Sequence, residues 1–175
     1  MSVLERTGLI SFGGQGVTIL GEDLVVGQPA PDFTVTAQDW RAFQGLKDTH
    51  GKVRIIAAVP SLDTAVCDRE TRRFNEEAAA LGEDIAILIL SMDLPFAQKR
   101  WCGAAGIEKV MVLSDHKDAD FGIQYGVLMK EVRLLRRAVF VVDRQGTVVY
   151  ADYMAALGDE PDYDAVLHAA RKALG

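Results

Sequence analysis

The sequence predicts an α/β fold, a central mixed β-sheet covered by helices on both faces, with a β-hairpin at its N-terminal side. Three observations predict it. Apolar, strand-like runs recur at residues 53–59, 85–90, 110–113, 138–142 and 147–152. Segments with helical spacing fall between them at 66–81, 94–105 and near 119–125. The chain then closes with a hairpin and a last helix, so strands and helices alternate before they pair.

Each element has a local reason. Residues 7–20 alternate in polarity around Gly13-Gly14-Gln15-Gly16, which predicts a β-hairpin. The run 53–59 is apolar throughout, the signature of a strand buried on both faces. Residues 66–81 carry good helix formers, with Phe74, Ala78 and Leu81 at three-and-four spacing. Asp143-Arg144-Gln145-Gly146 predicts a tight turn between the last two strands. The closing helix is expected to start at Pro161, as a first-turn residue, and to run to about residue 174.

The bulk numbers narrow the function classes. A chain of 175 residues is expected to be one domain, residues 1–175, with a sizeable core. A net charge of −6 argues against a nucleic-acid footprint. No apolar run approaches the ~20 residues of a membrane span, and residues 1–6 lack the pattern of a secretory signal. Two cysteines without such a signal point to a reducing compartment, where a disulfide is catalytic more often than structural. A cytoplasmic protein is therefore expected.

The chemistry concentrates in Pro60-Ser61-Leu62-Asp63-Thr64-Ala65-Val66-Cys67. Here a cysteine stands where a strand hands over to a helix. Cys67 is expected in the first helical turn, where free N–H groups and the positive dipole end stabilise a thiolate. Asp68 and Glu70 share that turn and oppose an anion, so they are expected to face solvent. Of the adjacent pair Arg136 and Arg137, strand alternation lets one point inward. A guanidinium there would offer a planar fork of donors to a thiolate and to an oxygen atom beside it. Thr64 has a hydroxyl suited either to the thiolate and substrate or to capping the helix.

These residues resemble the active-site signature of the peroxiredoxins, within them the bacterial thiol peroxidase subfamily of atypical two-cysteine enzymes. Pro60, Thr64 and Cys67 carry the core of the likeness. The segments 27–33, 93–98, 100–103 and 160–163 extend it over nearly the whole chain. Longer residues 40–52, a trimmed connection at 128–133 and one extra residue between the cysteines depart from the pattern, away from the signature positions. The resemblance implies a thioredoxin-like fold and a thiol peroxidase that reduces hydrogen peroxide and alkyl hydroperoxides. It implies catalytic roles for Cys67, Thr64, Arg137 and Pro60, with Pro60 shielding the sulfur.

Cys102 is implied as the resolving cysteine, which captures the Cys67 sulfenic acid as an intramolecular disulfide. Closing that bond is expected to unwind one or both helix ends. The resemblance also implies thioredoxin as reductant, a homodimer, and no metal or organic cofactor. Leu94, Phe96 and Trp101 are candidates for an apolar site that takes bulky hydroperoxides. Two other readings remain open: a peroxide sensor or redox relay that passes its disulfide to a client, and a non-catalytic binding module. His50, His116 and His168 show no metal-ligand spacing, and no glycine motif fits a nucleotide loop.

Overall fold

The computed structural model describes residues 2–175. Strand β1 (Glu5–Phe12) turns into β2 (Gln15–Leu20) through Gly13 and Gly14. Both glycines have positive φ, 58° and 82°, as a two-residue hairpin turn of the right twist demands. A short hairpin, β3 (Thr34–Thr36) and β4 (Ala42–Gln44), follows. Then come β5 (Val53–Ala58), α1 (Ala65–Leu81), β6 (Ile85–Ser91), α2 (Pro95–Ala105), β7 (Met111–Ser114) and α3 (Asp120–Gln124). The chain ends in β8 (Leu128–Met129), β9 (Leu134–Leu135), β10 (Ala138–Val142), β11 (Val148–Tyr153) and α4 (Tyr163–Leu174).

Seven strands form the main sheet in the order β11-β10-β5-β6-β7-β3-β4. The central β5, β6 and β7 are parallel, and the outer strands run antiparallel, so the sheet is mixed as expected. The N-terminal hairpin is extended by β8 and β9 into a second sheet, β1-β2-β8-β9. The trimmed connection at 128–133 is thus itself a small hairpin. Helix α4 begins at Tyr163, after Pro161. Asp162 takes the cap position and accepts the Ala165 N–H at 3.0 Å, which leaves Pro161 outside the first turn.

The pleat sends alternate residues to opposite faces. Ile55, Ala57, Val59, Ile87, Ile89, Val139 and Val141 pack with Phe74 and Leu81 of α1, Cys102 of α2 and Val166 of α4. Ile56, Ala58, Leu88, Leu90, Phe140 and Val142 face the other way, toward Phe121 and Tyr125. There an aromatic chain runs from Phe33 through Phe121 and Tyr125 to Phe140, with ring centroids 4.9, 4.6 and 5.1 Å apart. Parallel β5 and β6 end at the same edge. The loops leaving them, which lead into α1 and α2, therefore meet where parallel sheets usually place their sites.

Gly21 joins the hairpin sheet to the end of α3. Its φ is +89°, and an added Cβ would lie 1.9 Å from the Ile123 carbonyl oxygen. Gly21→Ala is expected to lower the unfolding free energy by at least about 2 kcal/mol, read from the midpoint of urea denaturation.

Candidate active site

Cys67 is the third residue of α1 and is fully buried. Helix α1 starts here because Thr64 has extended backbone, with φ −97° and ψ 145°, and the residues after it are free of helix breakers. The first-turn N–H groups have no partners within the helix, so the sulfur stands at an electropositive end. Pro60 is buried just past the end of β5.

One guanidinium organises the site. Arg137 Nη2 donates to Cys67 Sγ at 3.2 Å, and Nη1 donates to Glu70 Oε2 at 2.6 Å. Nε and Nη2 also donate to the Leu157 carbonyl at 3.1 and 3.0 Å, which fixes the plane of the fork. Burial alone would lower the Arg137 pKa. The charges of Cys67 and Glu70, with the hydrogen bonds to both, outweigh that and hold it above its ordinary value. Arg136 faces the other way. It donates to the Met154 carbonyl at 3.1 Å and lies 5.5 Å over the Tyr153 ring. The two side chains part as strand alternation requires, and Arg137 is the one beside Cys67.

Glu70 corrects an expectation. It is fully buried instead of facing solvent, because it lies three residues after Cys67 and shares its helix face. Burial pushes its carboxyl up to about 7, with Arg137 pulling down against it. Among the described residues its Oε1 has no hydrogen-bond partner. Asp68 is half-buried and engaged on both sides. It accepts from Arg72 Nε at 2.8 Å and from Trp101 Nε1 at 3.1 Å.

Thr64 is exposed, and its hydroxyl donates to the Ser61 carbonyl at 2.9 Å. In this arrangement it neither caps α1 with its side chain nor donates to Cys67. Below it, Asp93 holds the loop. Its carboxylate accepts from Ser61 Oγ at 2.7 Å, from the Leu62 N–H at 2.9 Å and from Ser91 Oγ at 2.8 Å. The segment that carries Pro60 and Thr64 is thereby tied to the segment that opens α2. Leu62, Asp63, Thr64, Ala65, Asp68, Arg69 and Trp101 line a shallow opening of about 450 Å³ beside Cys67. Trp101 is at that opening, whereas Leu94 and Phe96 are elsewhere on the surface.

Cys102 lies in the last turn of α2 and is buried. Gln38 Nε2 donates to its sulfur and to the Val112 carbonyl, each at 3.5 Å. Burial raises the Cys102 thiol above its ordinary pKa, and the Gln38 bond works against that. The helix ends at Gly106, which is left-handed with φ 68° and donates to the Cys102 carbonyl. Glu70, Asp93, Leu157 and Gln38 are the site residues that sequence reasoning missed. Glu70 had a signal, its i+3 spacing from Cys67. Gln38 had none.

The sequence model described as Redoxin matches residues 25–167. A thiol peroxidase of Oceanobacillus iheyensis is 54% identical over 158 residues, covering 90% of this chain and 95% of that protein. A thiol peroxidase of Bacillus subtilis is 52% identical over 162 residues, covering 93% and 96%. Among solved structures, a peroxiredoxin-like protein from Aquifex aeolicus superposes with a TM-score of 0.86 at 38% identity over 99% of both chains. A thiol peroxidase from Chromobacterium violaceum shares the fold, with a TM-score of 0.80 at 21% identity over 96% and 97%.

Glu70 competes with Cys67 for one cation, and this gives two expectations. In Glu70→Gln the amide oxygen still accepts from Arg137 while the competing charge is gone, so iodoacetamide should alkylate Cys67 faster near neutral pH. Because the folded-state pKa lies above the ordinary 4.5, the native state holds this proton more tightly than the unfolded chain. That contribution is complete below about pH 4.5 and is lost as pH rises toward about 7. Urea unfolding should therefore find Glu70→Gln gaining stability relative to the parent across that window.

Proposed function

The chain belongs to the Redoxin family, and on that premise we propose how it works as an enzyme that reduces hydroperoxides with a cysteine thiol. The single observation that carries the reading is the 3.2 Å contact from the Arg137 guanidinium to Cys67 Sγ at a helix N-terminus. A fixed cation and an N–H donor against a buried sulfur favour the thiolate, the form that attacks.

In the proposed cycle the Cys67 thiolate attacks the terminal peroxide oxygen. An S–O bond forms, the O–O bond breaks, and the alkoxide or hydroxide leaves and takes up a proton as alcohol or water. Cys67 is left as sulfenic acid. Arg137 holds the developing negative charge, and its fixed orientation means that little reorganisation is needed at the moment of reaction. Thr64 is assigned to align the peroxide once its hydroxyl turns from the Ser61 carbonyl. Its exposure at the rim of the opening supports that role. Pro60 is assigned to shield the sulfur from below.

Cys102 then attacks the sulfenic sulfur, a disulfide forms and water leaves. The two sulfurs hydrogen-bond to different residues, Arg137 and Gln38. In addition, Asp68 and Trp101, one position away from each cysteine, hydrogen-bond between the helices, as do Arg72 and the Ala105 carbonyl. Neighbouring helical positions differ by about 100°, so a contact through Asp68 and Trp101 turns both cysteines off that line. Helix ends must therefore rearrange to close the bond, and the last turn of α2 is the favoured place because it carries Cys102.

Reduction of the disulfide requires a dithiol, and a thioredoxin-type protein is proposed for that step by the family relation. A homodimer, a cytoplasmic location and one catalytic domain over residues 1–175 complete the proposal. Among the described residues no helix is long and apolar enough to cross a membrane, and the curated thiol peroxidases with 46–54% identity are bacterial.

One equivalent of cumene hydroperoxide added to reduced protein is expected to remove two hydrogens and to give a Cys67–Cys102 peptide link by mass mapping. Cys102→Ser should stop at the sulfenic acid. A lasting sulfenic acid on the unaltered chain would instead require an external resolving thiol. No oxidation at all would refute the peroxidase reading.

A further inference from the structure

The turn between β3 and β4 holds α2 at two points. Gln38 reaches the Cys102 sulfur and the Val112 carbonyl with one amide group, each at 3.5 Å. Both N–H groups of that amide are thereby used, one on the helix and one on β7. Two residues on, Trp40 lies against Phe96 in the first turn of α2, with ring centroids 4.8 Å apart. Its ring also meets His116 edge-on at 5.7 Å.

Trp40 has an unusual backbone for a bulky residue. Its φ is 68°, in the left-handed region, where side chains of this kind are outliers. The turn is closed around it: the Trp40 N–H donates to the Ala37 carbonyl and the Ala37 N–H to the Arg41 carbonyl, both at 2.9 Å. Such strain persists where the surroundings over-determine it. Here the compensating contact is the ring against Phe96. Gln38 therefore touches one end of the helix and Trp40 the other.

We propose that residues 37–41 form a clamp that keeps α2 folded and Cys102 withheld, and that releasing this clamp limits the rate of disulfide formation. The inference rests on the reading of Cys102 as the resolving thiol. Gln38 touches a reacting atom; Trp40 is a positioning residue that acts through Phe96. In the step itself the Cys102 thiol gives up its proton and forms the S–S bond to Cys67. The sulfenic hydroxyl leaves with a proton as water. Before this, the sulfur must part from Gln38, and α2 must loosen against Trp40.

The clamp also sets how long the sulfenic acid lasts. While Cys102 is held, Cys67 sulfenic acid stays open to a second peroxide, which would carry it to sulfinic acid. A tight clamp should thus make the enzyme more sensitive to excess peroxide. That links two readouts to one contact.

The test compares the unaltered chain with Gln38→Ala and, separately, Trp40→Asn, since asparagine tolerates the left-handed backbone. Reduced protein receives one equivalent of cumene hydroperoxide, and acid-quenched samples are mapped for sulfenic acid and disulfide over time and across pH. Each variant is expected to form the disulfide about two- to five-fold faster, the rate equivalent of one net hydrogen bond. The pH profile should keep its position in Trp40→Asn and move upward in Gln38→Ala, which loses the bond that lowers the Cys102 pKa. In both, residues 95–105 should exchange amide hydrogens faster, and less Cys67 should become sulfinic under excess peroxide. Unchanged rates in both variants, with the disulfide still formed, would overturn the clamp alone. Slower closure in Gln38→Ala would also overturn it, because Gln38 would then serve to ionise Cys102. No Cys67–Cys102 link in the unaltered chain would overturn the two-cysteine reading and the clamp with it.

Discussion

Everything at this site depends on one buried guanidinium serving two potential anions. Arg137 is 1% exposed, and a cation in that position is costly unless each donor has a partner. The partners come from separate parts of the chain: Cys67 and Glu70 from one face of α1, and the Leu157 carbonyl from the segment after β11. Removing any one would leave a buried donor unpaired. The fork therefore fixes the spacing between α1 and the start of β10. Glu70 orients the arginine and also draws on its charge, so the charge that reaches Cys67 depends on the protonation of a carboxyl pushed up to about 7 by burial. The site's electrostatics therefore belong to all three side chains together.

Much of this was legible in the sequence because it rests on local rules. The strands β5, β6 and β10 are buried on both faces, so their apolar runs stand out without any alternation. Strand periodicity says that Arg136 and Arg137 part to opposite faces, but the choice of Arg137 comes from the family resemblance. By contrast, β3, β4, β8 and β9 are two or three residues long, too short for a period to register. They exist because neighbouring strands recruit them. Glu70 shows where local reasoning misleads. A carboxylate near a helix N-terminus is normally solvated, and its burial here requires an arginine 67 positions away. Gln38 meets Cys102 across 64 positions, a pairing that no spacing rule anticipates. The Thr64 hydroxyl went to the nearer Ser61 carbonyl, a short-range competition that side chains of this kind often win.

In the proposed cycle Asp93 keeps the loops in register while helix ends move. Its two carboxylate oxygens gather Ser61, Leu62 and Ser91, and its carbonyl accepts from Ser114 Oγ at 2.6 Å. Gln98 adds donors to Ser91 Oγ and to the Leu113 carbonyl, at 3.0 and 2.9 Å. Together they pin the N-terminal half of α2 and the approach to α1 onto the ends of β6 and β7. No such knot holds the C-terminal half of α2. Among the described residues its side-chain hydrogen bonds to other elements are those of the Gln38 amide, the Asp68–Trp101 pair and Arg72 with the Ala105 carbonyl at 3.4 Å.

This asymmetry assigns different work to the two cysteine helices. Cys67 belongs at an anchored N-terminus, where the dipole, the guanidinium and the Asp93 knot keep the attacking sulfur in place before a peroxide arrives. Pre-organisation is useful there because the charge to be stabilised is known in advance. Cys102 belongs at a C-terminal turn that stops at Gly106, the end of a helix from which fraying begins. Its burial raises the thiol pKa, so in the proposed cycle the folded helix presents a poor nucleophile that is also held by Gln38. Loosening the last turn corrects both faults at once, since it exposes the thiol to water and frees its direction. A resolving cysteine gated in this way reacts when the helix opens and stays inert when it is closed. In the proposed cycle the lifetime of the sulfenic acid is then a property of α2 and not of the peroxide chemistry.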